Sequence, residues 1–189
     1  MSAPDDKSCN VILRPMADGD FTESYIAWFR DPEVTRFLAA RNISIQDSID
    51  HWRRGQQSNS WFMYAICAAE DRRHIGNLKL GPINWNHMIS DMSTVIGNRG
   101  AWGQGRARNA IHLGIRIAFD ELKIRKLSAS IDGDNIGSIK AYTGAGFHIE
   151  ASLKDQFMDA TQTPPRLSDR LYVACFNPAF SPLERSVKV

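Results

Sequence analysis

Two periodicities alternate along the chain. Small and apolar residues fall at Ala107, Ala110, Ile111, Gly114, Ile115, Ala118, Phe119 and Leu122, with Arg106, Arg116, Asp120 and Glu121 mostly off that line. A stripe with three- and four-residue steps predicts an amphipathic helix of about five turns. Helical patterns also run over residues 21–30, 32–38 and 45–54, where Asp31-Pro32 has the form of a cap with proline in the first turn. Apolar and β-branched runs predict strands at residues 11–15, 61–69, 74–83, 88–97, 126–131, from Phe147 onward, and at 170–176. Glu70-Asp71-Arg72-Arg73 predicts a charged hairpin tip, Gly81-Pro82 a turn, and Pro164-Pro165 a loop. Asp132 to Asp134 reads as a turn, Asn135 as an N-cap, and Gly146 as the residue that ends the following helix with positive φ.

Composition narrows the class. A chain of 189 residues that is 43% hydrophobic and 23% charged can bury one core, which predicts a single domain over residues 1–177. Residues 178–189, with Pro178 and Pro182, read as an irregular tail. The net charge of +2 implies no nucleic-acid partner, and the clusters Arg53-Arg54, Arg72-Arg73 and Arg106 to Arg108 are short enough to be solvated faces. Cys9, Cys67 and Cys175 form no disulfide framework and no Cys-x-x-Cys pair, and no histidines or cysteines stand at metal-binding spacing, so no metal is expected. No apolar run approaches the ~20 residues of a membrane span, and no basic-then-apolar leader opens the sequence. A cytoplasmic protein without a membrane partner is expected.

The most specific chemistry lies where the fourth strand gives way to the long helix, at Arg99-Gly-Ala-Trp-Gly-Gln-Gly-Arg-Ala107. A helix start carries N–H groups without intrahelical partners, and its dipole favours an anion. Glycines there let a phosphate approach the backbone closely. A P-loop is excluded because no Lys followed by Ser or Thr occurs in this loop, and a dinucleotide fingerprint fails because position 108 is Arg108. A second segment follows about 30 residues on, Asn135-Ile-Gly-Ser138-Ile-Lys-Ala-Tyr142-Thr-Gly-Ala-Gly146-Phe147. Taken singly, Asn135 is an N-cap, Ser138 a surface residue and Tyr142 a core aromatic.

In order and at this interval, the two segments resemble the GCN5-related N-acetyltransferase (GNAT) superfamily, in its ribosomal-protein and amino-sugar branch. Gly103 and Gly105 match the glycines of its acyl-CoA loop, Trp102-Gly-Gln-Gly105 resembles a common form of it, and Gly100 departs from the usual Arg or Gln. The resemblance spans residues 11–176, with specific motifs only in 97–147. It implies an α/β (α+β) fold in the order β-α-α-β-β-β-α-β-α-β-β, with a mixed, mostly antiparallel central sheet splayed at the acyl-CoA site and helices on both faces. It also implies acetyl-CoA as co-substrate and an enzyme of the acyl-CoA N-acyltransferase class.

Transfer from a thioester to an amine needs a neutral nucleophile, an oxyanion donor and a proton for the thiolate. By resemblance, Tyr142 is the general acid and a backbone N–H near Val95 or Ile96 is the oxyanion donor. The amides of Gly103, Gln104, Gly105, Arg106 and Ala107 hold pyrophosphate and Asn135 binds the pantetheine arm, with Trp102 and Ser138 as further cofactor-binding positions. Asp91 and Ser93 alternate on one strand face and are the candidate base, with an edge salt bridge as the other reading of Asp91. A water chain can replace the base, since about a tenth of an amine of pKa ~8 is neutral at pH 7. His87, His112 and His148 show no such pattern. Residues 25–34 and 74–84 resemble enzymes that acetylate amino sugars on nucleotide carriers as well as the ribosomal-protein N-terminal acetyltransferase branch, the second segment favouring amino sugars, and Trp28, Phe29, Trp85 and the segment 157–167 are candidate walls of an acceptor pocket. A small amine, an amino sugar or its nucleotide conjugate, is therefore the expected acceptor, with homodimerisation compatible. A protein N-terminal acetyltransferase and a non-catalytic acyl-CoA-binding module are the alternatives.

Overall fold

Residues 9–38, 41–160 and 163–180 are described by a computed structural model. Seven strands, β1 (Val11–Pro15), β2 (Phe62–Ala68), β3 (His74–Asn84), β4 (Ile89–Ile96), β5 (Lys126–Asp132), β6 (His148–Asp159) and β7 (Arg166–Phe176), form one sheet. Their order is β1-β2-β3-β4-β5-β7-β6, and only β4 and β5 are parallel. Helices α1 (Glu23–Arg30), α2 (Pro32–Thr35) and α3 (Ile45–Gln57) precede β2, while α4 (Arg106–Arg116) and α5 (Ile136–Gly144) flank β5. This is the mixed, mostly antiparallel architecture expected from the sequence.

Alternate residues of β2 show how the sheet divides the interior. Ile66 and Ala68 join the main core with Leu78, Met92, Ile111, Leu127 and Phe147, against α4 and α5. Ala65 and Cys67 point the other way, to Phe21, Tyr25, Ile26 and Phe29 of the α1–α3 layer. Each fully buried side chain of this size contributes about 1.5–3 kcal/mol. Gly114 lets α4 sit low on the sheet, since a Cβ there would meet Leu78 Cδ1 at 2.7 Å and Met92 Cε at 3.0 Å. Local chemistry fixes the helix starts: Thr22 caps α1 through the Tyr25 N–H, and Ser44 and Asp47 form a capping box on α3.

Several boundaries differ from the sequence expectation. The helix expected over 32–38 ends at Thr35, and α3 runs on to Gln57. The long helix closes in a π-helical turn at Ile117–Glu121. Gly81-Pro82 does not end β3; it sits within it at a register irregularity between Leu80 and Ile83, where the pleat absorbs the extra residues. The segment 157–167 is largely the end of β6 and the start of β7, because cross-strand pairing of Phe157 with Ser168 carries the hairpin outward. Pro178–Phe180 forms a 3-10 turn, and the rest of the expected tail lies outside the described residues.

Candidate active site

β4 and β5 pair only at Ile89 with Lys126, Ser90 with Leu127 and Asp91 with Ser128. Beyond that point β4 stays with β3 and β5 with β7, so the sheet opens a notch beside residues 92–96. The Met92 carbonyl accepts from Tyr142 Oη at 3.1 Å, and the Ile96 carbonyl from Trp102 Nε1 at 2.7 Å. In an antiparallel strand each residue turns its N–H and C=O to the same side, and alternate residues agree. Met92, Thr94 and Ile96 therefore present backbone to the notch. Of the two oxyanion candidates, Ile96 has its backbone turned to the notch, while the pleat turns the Val95 amide to β3; both residues border the cavity. Thr94 is the position the sequence did not single out.

A cavity of about 660 Å³ lies against the notch, between the end of β4, the glycine loop and the starts of α4 and α5. Gly103 and Gly105 have φ of +74° and +71°, a region where a Cβ is strained, and Gly105 is the N-cap of α4. Among the described residues no side chain caps that helix, which leaves its first amides to the cavity. At the start of α5, Asn135 Oδ1 accepts from the Ser138 N–H at 3.1 Å, and both residues border the cavity. Trp102 borders it too, 41% exposed.

Two loop residues have other duties. Gln104 Nε2 donates to the Gly100 carbonyl at 2.8 Å while its Oε1 accepts from Arg106 Nε at 3.0 Å. The Arg106 guanidinium reaches the β2–β3 hairpin tip and pairs with Glu70 at 2.6 Å. Both side chains brace the loop, which leaves Arg106 its backbone amide and one side of the cavity wall. Arg108 borders the same cavity, its stem lies 3.1 Å from a Cβ built at Gly144, and it makes no ion pair among the described residues. In the sequence Arg108 belongs to a short basic cluster that reads as a solvated face, and it excludes a dinucleotide motif; its position two residues into α4, off the apolar stripe, is the available signal of a site.

Tyr142 is 4% exposed, edge-on to Phe147 at 5.0 Å, and 3.4 Å from Thr94 Oγ1. Burial pushes its phenol up to about 12, so the group stays protonated and acts as a donor. Asp91 and Ser93 do not share its side. They lie on the opposite face from Met92, and Asp91 Oδ1 accepts from Ser128 Oγ at 2.6 Å rather than forming a salt bridge. On that face Lys79 stands opposite Ser93, its ammonium drawn below the usual lysine range by burial and held up by Asp91.

The expected acceptor walls scatter. Trp28 packs on Gly97, just past β4, and edge-on to His74 at 5.0 Å. Phe29 is in the α1–α3 core, because its helix face is the one turned to the sheet. Trp85 lies past the far end of β3, with Nε1 donating to the Asn59 carbonyl at 2.7 Å.

Residues 10–148 match the family described as acetyltransferase (GNAT) domain. An uncharacterized N-acetyltransferase from Bacillus licheniformis is 26% identical over 68% of this chain and 74% of its own length. An N-acetyltransferase 9-like protein from Caenorhabditis briggsae is 20% identical over 76% of this chain and 77% of its own length. Among solved structures, spermidine N-acetyltransferase from Vibrio cholerae in complex with CoA and spermine has a TM-score of 0.77 at 18% identity, covering 89% of this chain and 96% of that one. The cavity suits acetyl-CoA as co-substrate: open space beside two left-handed glycines, two helix starts, and an arginine without an acidic partner among the described residues. The chain belongs to the GNAT acetyltransferase family and is an acyl-CoA N-acyltransferase that uses acetyl-CoA.

Proposed function

We propose that this enzyme moves the acetyl group directly to the primary amine of a small hydroxylated molecule, an amino sugar or a nucleotide-linked amino sugar, and that residues 1–177 act as one catalytic domain. The observation that carries the reading is the notch. It joins the cavity on the α4–α5 side to a floor on the other side where Asp91 and Ser128 are hydrogen-bonded and Ser93 and Ser130 are exposed. Hydroxyl and carboxylate groups in such a row suit a ligand that carries hydroxyls around an amine.

In this scheme the α4 amides and Arg108 hold the pyrophosphate, and Asn135 and Ser138 steer the pantetheine arm. Thr94 and Ile96 offer backbone N–H groups to the oxygen that becomes negative as the amine nitrogen bonds to the carbonyl carbon. The C–S bond then breaks with its electron pair on sulfur, which the Tyr142 hydroxyl stabilises by a hydrogen bond. Since its pKa is raised, the phenol serves better as a donor to the thiolate than as a fully transferred proton. The ammonium proton leaves to water, with Asp91 and Ser93 orienting the chain of waters, water returns one proton to the thiolate, and the products are the N-acetylated amine and CoA thiol.

Arg108→Ala should weaken acetyl-CoA binding about tenfold, the scale of one charge-assisted contact, with little change in melting temperature because the guanidinium makes no ion pair among the described residues. Titration calorimetry with the folded variant checks this, and equal affinity would remove Arg108 from the site. The acceptor reading is tested by steady-state kinetics on amino sugars, their nucleotide conjugates, spermidine and N-terminal peptides. One of the sugars should exceed every peptide and spermidine by at least ~10² in kcat/KM, a gap within reach of one or two specific hydrogen bonds. A peptide or polyamine that leads the panel would replace it. With 23 Lys and Arg against 21 Asp and Glu, the chain has no overall field to attract basic proteins or polyamines.

A further inference from the structure

We infer that Arg170 is an anion subsite for the acceptor, and that the acceptor therefore carries a phosphate group; this rests on the reading above that an amine enters from the Asp91 side of the notch. On that side, register puts Ser130 beside Tyr172 and Asp132 beside Arg170, while Leu153 faces Arg170 from β6. The α1–α3 layer packs over the β1–β3 half of the sheet, so this part of the face stays half-exposed or exposed.

Arg170 is held as a recognition group would be. Its Nε donates to Ser130 Oγ at 2.5 Å, and its Cζ stands 5.5 Å from the Phe157 ring centre and 5.2 Å from that of Tyr172. Two aromatic faces and one hydroxyl fix the plane of the guanidinium, and the Nη fork is left for a bidentate anion. The neighbouring cations are already matched: Arg166 with Asp134 at 2.9 Å, Lys154 with Asp169 at 2.8 Å, and Lys126 with Glu150 at 2.6 Å. Arg170 makes no ion pair among the described residues. Asp132, directly opposite, is taken up instead by Ser168 Oγ at 2.8 Å and the Asp134 N–H at 2.9 Å.

Position completes the argument. Ser130 lies two residues along β5 from Ser128, hence about 7 Å past the Asp91 contact and across the notch from Ser93. A sugar ring bearing an amine and a phosphate on different carbons bridges that interval, with the amine at the notch and the phosphate at Arg170. A free polyamine has nothing to offer an unmatched guanidinium, which favours the phosphorylated acceptor over the cationic one.

Calorimetry on protein saturated with CoA, so that the pyrophosphate cradle is filled, tests this with uridine diphosphate, glucosamine 1-phosphate and glucosamine as probes. Both phosphorylated probes should bind the wild type and glucosamine should bind at least tenfold more weakly. Tighter binding of uridine diphosphate would assign a nucleotide carrier, and tighter binding of glucosamine 1-phosphate a simple sugar phosphate. Arg170→Gln should weaken the phosphorylated probes more than tenfold with CoA affinity unchanged, and Arg170→Lys, which keeps the charge but loses the fork, should fall between. In turnover, Arg170→Gln should raise KM for a phosphorylated amine ~10–100-fold, with kcat/KM for its unphosphorylated counterpart kept within about twofold. Absence of probe binding to the wild type, or equal binding by wild type and Arg170→Gln, overturns the subsite. Failure of every amine in the panel would overturn the acceptor reading, while the binding experiment still decides the role of Arg170.

Discussion

Tyr142→Phe is expected to lower kcat by about 10²-fold while leaving acetyl-CoA affinity within about twofold. The substitution keeps the ring against Phe147 and removes only the hydroxyl that reaches the Met92 carbonyl at the notch. In the proposed scheme that hydroxyl stabilises the departing thiolate, and losing a positioned donor to a developing anion has this scale of cost. The Met92 carbonyl would lose a partner, so stability should drop by about 1–2 kcal/mol. Stopped-flow single turnover separates chemistry from product release. A near-normal single-turnover rate in a folded variant would make Tyr142 a core aromatic and no more.

Gly105→Val should have the larger effect on binding, weakening acetyl-CoA well beyond tenfold. At φ of +71° a β-branched residue is strained by about 1–2 kcal/mol or more, and relief of that strain moves the α4 amides. The nearest atom to an added Cβ is Arg108 Nη2 at 3.9 Å, so the side chain has room to exist in the cavity mouth while it occupies ligand space. The residue is exposed and outside both cores, which predicts a folded variant with a modest fall in melting temperature. Calorimetry showing wild-type affinity in that variant would remove the loop from the cofactor site.

What the sequence revealed about this site was local in character. The strand, glycine loop and helix follow from patterns inside twenty residues, as do the Asn135 cap and the positive φ of Gly146, at 109°. What stayed hidden depends on contacts between distant parts of the chain. Nothing near Arg106 announces that its guanidinium goes to Glu70, 36 residues earlier, and so nothing announces that Arg108, rather than Arg106, makes no ion pair among the described residues. Asp91, Ser93 and Tyr142 looked like one group because alternation defines a strand's faces without saying which elements cover them; the sheet in fact separates them. Trp85 and Phe29 were drawn toward the acceptor by residue type alone, whereas α1 turns Phe29 inward and β3 carries Trp85 to the far end. Residues 157–167 carry no strand signal because Asp159 and the two prolines interrupt the alternation, and pairing of β6 with β7 overrides that local pattern.

The short parallel ladder between β4 and β5 also makes the molecule two half-sheets sewn together at one end. Past Asp91 the halves are joined by the helices and the shared core instead of by backbone rungs. A ligand lying between Thr94 or Ile96 on one bank and the α5 start on the other supplies stitches across that seam which the free chain lacks. At a hundredfold excess over its dissociation constant such a ligand adds about 2.7 kcal/mol to the folded state. Acetyl-CoA at that excess should therefore raise the melting temperature, which scanning calorimetry with and without it checks.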